Sequence, residues 1–322
     1  MTHTRSVLVT GGSSGIGLAT AERFLSDGYQ VAICARRADR LAAAAKALNS
    51  ERVFCLTADL ADPSQASTVV REAAQAMRGL GVVVNAHGII GTPAKLEDLT
   101  AKEWQSVLNT NLIGPIMVTS SAIPYLRESR GNVVNVSSIN AIQAEPWVSP
   151  YGVSKSGLVG FTRYAAVELA PYEIRINAVL PGWVRTPMAQ PFFEEAGVVG
   201  KILETNLMGR AAAPNEIASV IAFLASEQAS FMTGECLVAD GGQWVKMSAL
   251  AARPDEPDEP SPFHGPRGVL LACGNLSGSA YDLRFYGLGG SGDAPAGVAV
   301  VTTIVPTYRV LSLLHGRPAQ TR

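Results

Sequence analysis

The sequence has 322 residues, a formal net charge of −1, and 47% hydrophobic against 16% charged residues. That balance predicts a globular chain with a full core. It offers no basic field for nucleic acid and no lysine/arginine cluster for an anionic membrane surface.

At the start, MTHTRSVLVTGG (1–12) has no basic segment followed by a long apolar stretch and a cleavage site, so no signal peptide is expected. Apolar runs then recur at SVLVT (6–10), QVAICA (30–35), RVFCLTA (52–58), GVVVNA (81–86), NVVNVSS (132–138), RINAVLP (175–181) and ECLVA (235–239). They are apolar nearly throughout rather than alternating, the pattern of strands buried on both faces of a parallel sheet. Helical-period stretches lie between them, such as GLATAERFLSDG (17–28), with Gly28 where a C-terminal glycine should sit, and EIASVIAFLAS (216–226). This alternation predicts an α/β fold, a Rossmann-type doubly wound parallel sheet of about seven strands with helices on both faces.

The character changes after residue 246. ARPDEPDEPSP (252–262) is a proline-acidic stretch that can hold neither a helix nor a central strand. Two segments are expected: a domain over 1–246 and a Pro/Gly-rich, poorly ordered extension over 247–322. The apolar run VAVVTTIVPTYRVLSLL (298–314) is interrupted by Pro306 and Arg309 and is too short to cross a membrane. Cys34, Cys55, Cys236 and Cys273 show no ligand spacing. Three lie in strand-like runs, where buried free thiols are expected, and the compartment is expected to be cytoplasmic and reducing. Four scattered histidines make no metal site.

The first strand runs into TGGSSGIG (10–17), a glycine turn opening a helix with GxxxGxG spacing. Gly11 permits a sharp turn, Gly15 lets backbone approach a phosphate, and Gly17 allows close helix–strand contact, while the helix N-terminus offers free N–H groups to a pyrophosphate. At the end of the second strand, ICARRADR (33–40) places Ala35 where an NAD-selective acid would stand, followed by Arg36 and Arg37. A 2′-phosphate therefore suits the site better than a bare ribose, and NADP is favoured over NAD. Further on, SPYGVSKSG (149–157) puts Tyr151 and Lys155 one turn apart on the same helix face.

Taken together, TGGSSGIG, NAHG (85–88), NLIG (111–114), NVSS (135–138), YGVSK (151–155), PGWVRT (181–186) and TGECLVADGG (233–242) resemble the short-chain dehydrogenase/reductase family over about residues 5–246. The resemblance implies that Tyr151 is the catalytic acid/base and that Lys155, Ser138 and Asn111 complete a tetrad. It implies a dinucleotide held by Gly11, Ser13, Ser14, Gly15, Ile16, Gly17, Arg36, Arg37, Asp59, Leu60, Asn85, Ala86, Gly88, Pro181, Gly182, Val184 and Thr186, with Tyr151 and Lys155 also touching it. Where the family usually reads NNAG, this chain has NAHG. His87 could reach the cofactor or a neighbouring strand, or be a tolerated loop side chain. The family also implies a homo-oligomer, tetramer or dimer, through the YGVSK helix, its successor and the last strand; SGLVGFTRYAAVELA (156–170) has apolar positions on more than one face, as this requires.

A tyrosine with an ordinary pKa of about 10 is a poor base near neutrality. A nearby ammonium and an oxidised nicotinamide should shift Tyr151 down, and Lys155 would also grip the nicotinamide ribose. The expected activity is NADP(H)-dependent interconversion of a carbonyl and a secondary alcohol on a small molecule. An NAD-dependent alcohol or polyol dehydrogenase and a non-catalytic NADP sensor are the alternatives. The segments INAIQAEPWVSP (139–150) and 183–208 should line the substrate pocket, the second as a mobile lid. Ile142, Trp147, Trp183, Met188, Phe192 and Phe193 predict an apolar pocket with few fixed charges.

Overall fold

The seven apolar runs become β1 (Ser6–Thr10), β2 (Gln30–Ala35), β3 (Val53–Thr57), β4 (Val82–Asn85), β5 (Asn132–Val136), β6 (Arg175–Pro181) and β7 (Cys236–Ala239) of an all-parallel sheet ordered β3-β2-β1-β4-β5-β6-β7. The structure is a computed structural model that describes residues 5–194, 199–200 and 204–246, together with the backbone of 272–274 and 283–285. The helices are α1 (Gly15–Ser26), α2 (Ala38–Leu48), α3 (Ser64–Ala76), α4 (Ala101–Leu108), α5 (Gly114–Ser129), α6 (Ser149–Leu169), α7 (Gln190–Glu194), α8 (Pro214–Ala225) and α9 (Gln243–Lys246).

Two-sided burial explains the continuous apolar runs. Val7 and Val9 of β1 join a core with Phe24 of α1, Leu41 of α2 and Ile221 of α8, whereas Leu8 between them faces Val70 of α3, Val118 of α5 and Ala165 of α6. In β4, Val82 and Val84 face the first core and Val83 the second. Each such side chain contributes about 1.5–3 kcal/mol by leaving water. The edge strand β3 departs from the pattern: its residues are only half-buried or exposed, and Cys55 is exposed rather than buried. An edge strand has a neighbour on one side only. Cys34 of β2, flanked by β1 and β3, is fully buried, and burial pushes its thiol up to about 12.

Helix α1 ends as its sequence predicts. Gly28 takes φ +86°, and the Tyr29 and Gly28 N–H groups close on the Phe24 and Leu25 carbonyls at 2.9 and 3.1 Å. Among the described residues no helix is long and apolar enough to cross a membrane.

The chain divides into two compact units, Met1–Arg253 and Pro254–Arg322. In the second, β8 (Ala272–Gly274) pairs antiparallel with β9 (Leu283–Phe285), a short ladder that the sequence pattern did not signal. The expected poor order of 247–322 otherwise lies outside the described residues.

Candidate active site

The strand order reverses between β1 and β4, so the connections leaving these two strands diverge to opposite faces and open a cleft at their C-terminal ends. The glycine turn fills one side of it. Gly11 takes φ +70°, and a Cβ there would lie 2.8 Å from the His87 backbone. A Cβ on Gly17 would lie 2.3 Å from the Gly11 carbonyl oxygen, so only glycine lets α1 start this close to the turn. Ser14, the α1 N-cap, makes no side-chain cap bond. The first-turn N–H groups therefore remain for a phosphate.

This cleft, about 400 Å³, is lined by Gly11, Ser13, Ser14, Gly15, Ile16, Gly17, Arg36, Arg37, Asp59, Leu60, Ala86, Gly88 and Thr186 of the predicted set. Arg40 lines it too, four residues after Arg36; that spacing, in RRADR, was a signal available in the sequence. The arginines are not equivalent. Arg37 is engaged by Asp39 through two bonds of 3.2 and 2.6 Å, while among the described residues no carboxylate pairs with Arg36. The donor set of hydroxyls, free helix N–H groups and a guanidinium fits a phosphorylated dinucleotide.

Asn85 does not face the cleft. It is 1% exposed and its amide donates to Asn135 Oδ1 at 2.9 Å and Thr119 Oγ1 at 3.1 Å, while the Asn135 amide donates to Thr162 at 2.9 Å. Asn85 thus joins β4 to β5 and α5 through its amide nitrogen and does not line the cleft, while its Oδ1 is buried without a hydrogen-bond partner.

His87 is no tolerated loop side chain. Its Nδ1 lies 2.7 Å from the Thr10 hydroxyl of β1, and the ring fits because Gly114 has no side chain; a Cβ there would stand 2.8 Å from Nε2. Burial, with the Lys155 charge adding, lowers its pKa from 6.5 to about 3. Between these values the unfolded chain binds a proton that the folded chain refuses. The contribution of His87 to stability is therefore complete above pH 6.5 and lost as pH falls towards 3, at up to about 1.4 kcal/mol per pH unit. Denaturant unfolding across this window should show a shallower pH slope for His87→Ala than for the wild type; equal slopes would assign the acid sensitivity elsewhere.

A second cavity of about 350 Å³ adjoins the cleft, lined by Tyr151, Lys155 and Ser138 together with Pro181, Gly182, Val184 and Thr186. Tyr151 and Lys155 project from the same face of α6, with the Lys155 ammonium 5.7 Å from the tyrosine ring centre. Lys155 is 4% exposed and donates to the Val136 carbonyl at 2.8 Å, and burial lowers its pKa to about 8. The Tyr151 pKa moves opposite to the expectation. Burial raises it, a hydrogen bond with Ser138 lowers it, and the Glu145 charge raises it. The Lys155 ammonium donates to the Val136 carbonyl and makes no hydrogen bond to the Tyr151 hydroxyl.

Asn111 lies in a π-helical turn, Asn109–Ile113, between α4 and α5. It is fully buried and lines neither cavity. Its amide donates to the Ile89 carbonyl at 2.8 Å and Ser154 Oγ at 3.0 Å, and its Oδ1 accepts from the Ile89 N–H at 2.8 Å. Gly88 separates it from Lys155: a Cβ on Gly88 would lie 3.2 Å from Asn111 Oδ1 and 3.6 Å from Lys155 Nζ.

Of the predicted pocket residues, Trp147, Trp183, Met188 and Phe192 line the cavity. Ile142 is exposed, and Phe193 packs edge-on against Trp183 at 6.0 Å. The segment 139–150 lines the cavity as expected, but its polar side chains Asn140 and Glu145, and Gln243 beyond it, were not singled out. Glu145 brings a carboxylate into a pocket expected to hold few charges, and Gln243 arrives from α9 after the last strand. Glu145 comes from the segment assigned to the pocket, whereas nothing local in GGQW marks Gln243, which tertiary folding brings there. The predicted lid contributes α7, and its expected mobility falls partly on 195–198 and 201–203, outside the described residues.

A family model described as Enoyl-(Acyl carrier protein) reductase matches residues 11–243. The chain is 37% identical over 239 residues to a 3-oxoacyl-[acyl-carrier-protein] reductase of Thermotoga maritima, covering 73% of this chain and 96% of the relative. It is 32% identical over 239 residues to human Dehydrogenase/reductase SDR family member 4, covering 73% and 86%. The crystal structure of levodione reductase superimposes with a TM-score of 0.72 at 33% identity, covering 76% of this chain and 99% of that one. The fold and matches define an NAD(P)-dependent oxidoreductase. The chain belongs to the short-chain dehydrogenase/reductase family.

Proposed function

We propose that the protein is an NADP(H)-dependent reductase that interconverts a ketone and a secondary alcohol, with Tyr151 as general acid/base; 3-oxoacyl thioesters and related ketones or sugars are its candidate substrates. The observation that carries this reading is the convergence of Tyr151, Lys155 and Ser138 on one cavity beside a cleft lined by the glycine turn and Arg36. When bound, the nicotinamide cofactor supplies or removes hydride at the carbon. Ser13, Ser14 and the start of α1 would hold its phosphates, Arg36 and Arg40 the 2′-phosphate. Ser138 orients the substrate oxygen, and Tyr151 delivers a proton to it as negative charge develops. Lys155, buried and cationic below about pH 8, favours the phenolate left on Tyr151. Asn111 holds Ile89 and Ser154, fixing the walls on either side of Lys155.

The reading includes a cytoplasmic location, supported by the free thiols Cys34, Cys55 and Cys236. It also includes a homo-oligomer, supported by apolar side chains that α6 leaves in solvent, Tyr164 at 78% and Val167 at 76% exposure. Residues 1–246 form its catalytic domain and 247–322 an extension.

The test is nicotinamide absorbance with the full chain, NADPH or NADH, and a panel of ketones, 3-oxoacyl thioesters and sugars. Turnover with NADPH is expected, and Arg36→Ala should raise its KM about 10–100-fold while changing that of NADH only a few-fold, the loss of a charge-assisted bond to phosphate. NADPH binding without turnover on any substrate would favour the sensor reading.

A further inference from the structure

The substrate cavity contains a carboxylate without a cationic partner. Glu145 Oε2 accepts from Asn140 Nδ2 at 2.8 Å, and the Asn140 N–H donates to Ser138 Oγ at 3.1 Å. The carboxylate is thereby tethered to the residue placed to orient the substrate oxygen. Among the described residues no cation pairs with Glu145, and Oε1 has no hydrogen bond. Gln243 lines the same cavity, is 1% exposed, and keeps its side-chain Oε1 buried without a partner. That oxygen is closed off from the cavity, whereas the free Oε1 of half-buried Glu145 meets it, and a ligand filling a cavity walled by Trp147, Trp183 and Phe192 must replace the water on that carboxylate with a donor. A plain ketone brings only another acceptor, and that one is already served by Tyr151 and Ser138.

We propose that Glu145 is a specificity-determining residue that accepts a hydrogen bond from a hydroxyl group carried close to the reacting carbonyl, so that the substrate pair is a hydroxyketone and its diol. The inference rests on the carbonyl–alcohol reading and narrows its substrate. The tether to Asn140 matters because a fixed carboxylate discriminates by position, whereas a freely rotating one would accept a donor anywhere in the cavity. A hydroxyl is preferred to an ammonium because the buried Lys155 ammonium lines the same cavity and would repel a second cation.

The experiment uses the full chain saturated with NADP⁺ and three matched probes: cyclohexane-1,2-diol, cyclohexanol and 2-aminocyclohexanol. Binding is read from tryptophan fluorescence, since Trp147 and Trp183 line the cavity, and oxidation from nicotinamide absorbance. The diol is expected to bind about tenfold more tightly than cyclohexanol. That ratio should fall to near one in Glu145→Ala and be partly kept in Glu145→Gln, which still has an acceptor oxygen. Unchanged NADP⁺ affinity and melting temperature show that the variants are folded. An equal diol/cyclohexanol ratio in wild type and Glu145→Ala overturns the proposal, as does tightest binding of the amino alcohol or no binding of any probe. Diol binding that depends on Glu145 but is never followed by oxidation supports the assignment of Glu145 and defeats the dehydrogenase reading instead.

Discussion

Tyr151→Phe is expected to lower kcat for ketone reduction by about 10²–10⁴-fold, the range that a positioned general acid contributes. The ring, its burial and its packing on α6 are kept, so only the hydroxyl, with its proton and its hydrogen bond to Ser138, is removed. NADPH affinity should change by no more than a few-fold, which separates a chemical defect from a misfolded cleft. The environment of the hydroxyl also sets the direction of the pH dependence. Burial and the Glu145 charge raise the Tyr151 pKa more than Ser138 lowers it. The phenol is therefore protonated at neutral pH and ready to donate in reduction. Alcohol oxidation needs the phenolate and should accelerate as pH rises. Stopped-flow single turnovers in both directions would measure this; a mutant retaining wild-type kcat would remove Tyr151 from the chemistry.

Gly17→Ala should have the largest structural effect of any single methyl group in the cleft. The new Cβ would lie 2.3 Å from the Gly11 oxygen, 2.7 Å from the Gly11 carbonyl carbon and 3.2 Å from Gly12 Cα. All three atoms are backbone of the turn, and none can rotate away. Helix α1 must then shift off the turn, at a cost of about 2–3 kcal/mol, the upper range for overpacking. The shift also displaces the N–H groups assigned to the phosphates, so NADPH affinity should fall at least tenfold. Denaturant melts and a fluorescence titration would read both effects. Gly160→Ala is the control. It sits inside α6 with nothing of its own chain within 4 Å of its added Cβ, so NADPH affinity should be kept and the fold of the single chain should be unaffected or stabilised by up to about 1 kcal/mol.

What could be read from the sequence followed from local physics. The seven strands were visible because two-sided burial leaves no polar alternation, and the shared face of Tyr151 and Lys155 because helical periodicity fixes it. The glycine turn was visible because its spacing encodes backbone conformation. Other features depended on distant parts of the chain. The orientation of Asn85 is decided by Asn135 and Thr119, each contributed by another element. Gln243 reaches the cavity from a segment with no periodic pattern, and within 139–150, assigned to the pocket, the sequence did not say that the Glu145 carboxylate would be the group presented. The upward direction of the Tyr151 pKa follows from desolvation, which is absent from a sequence, whereas the charge of Lys155 is written in it. His87 had several fates open, and Gly114, twenty-seven residues later, provides the room for its ring.

The amide ladder from Asn85 through Asn135 to Thr162 also acts as a registration key. Asn85 and Asn135 stand directly opposite each other in the parallel pairing of β4 with β5. Sliding one strand by a single residue would move it about 3.3 Å and turn its amide to the other face, leaving a polar group among the valines there. Gly88 follows Asn85 by three positions and Ser138 follows Asn135 by three. A ladder locked at the amides therefore delivers the ends of both strands, and with them the cofactor cleft and the substrate-orienting hydroxyl, to the same height above the sheet.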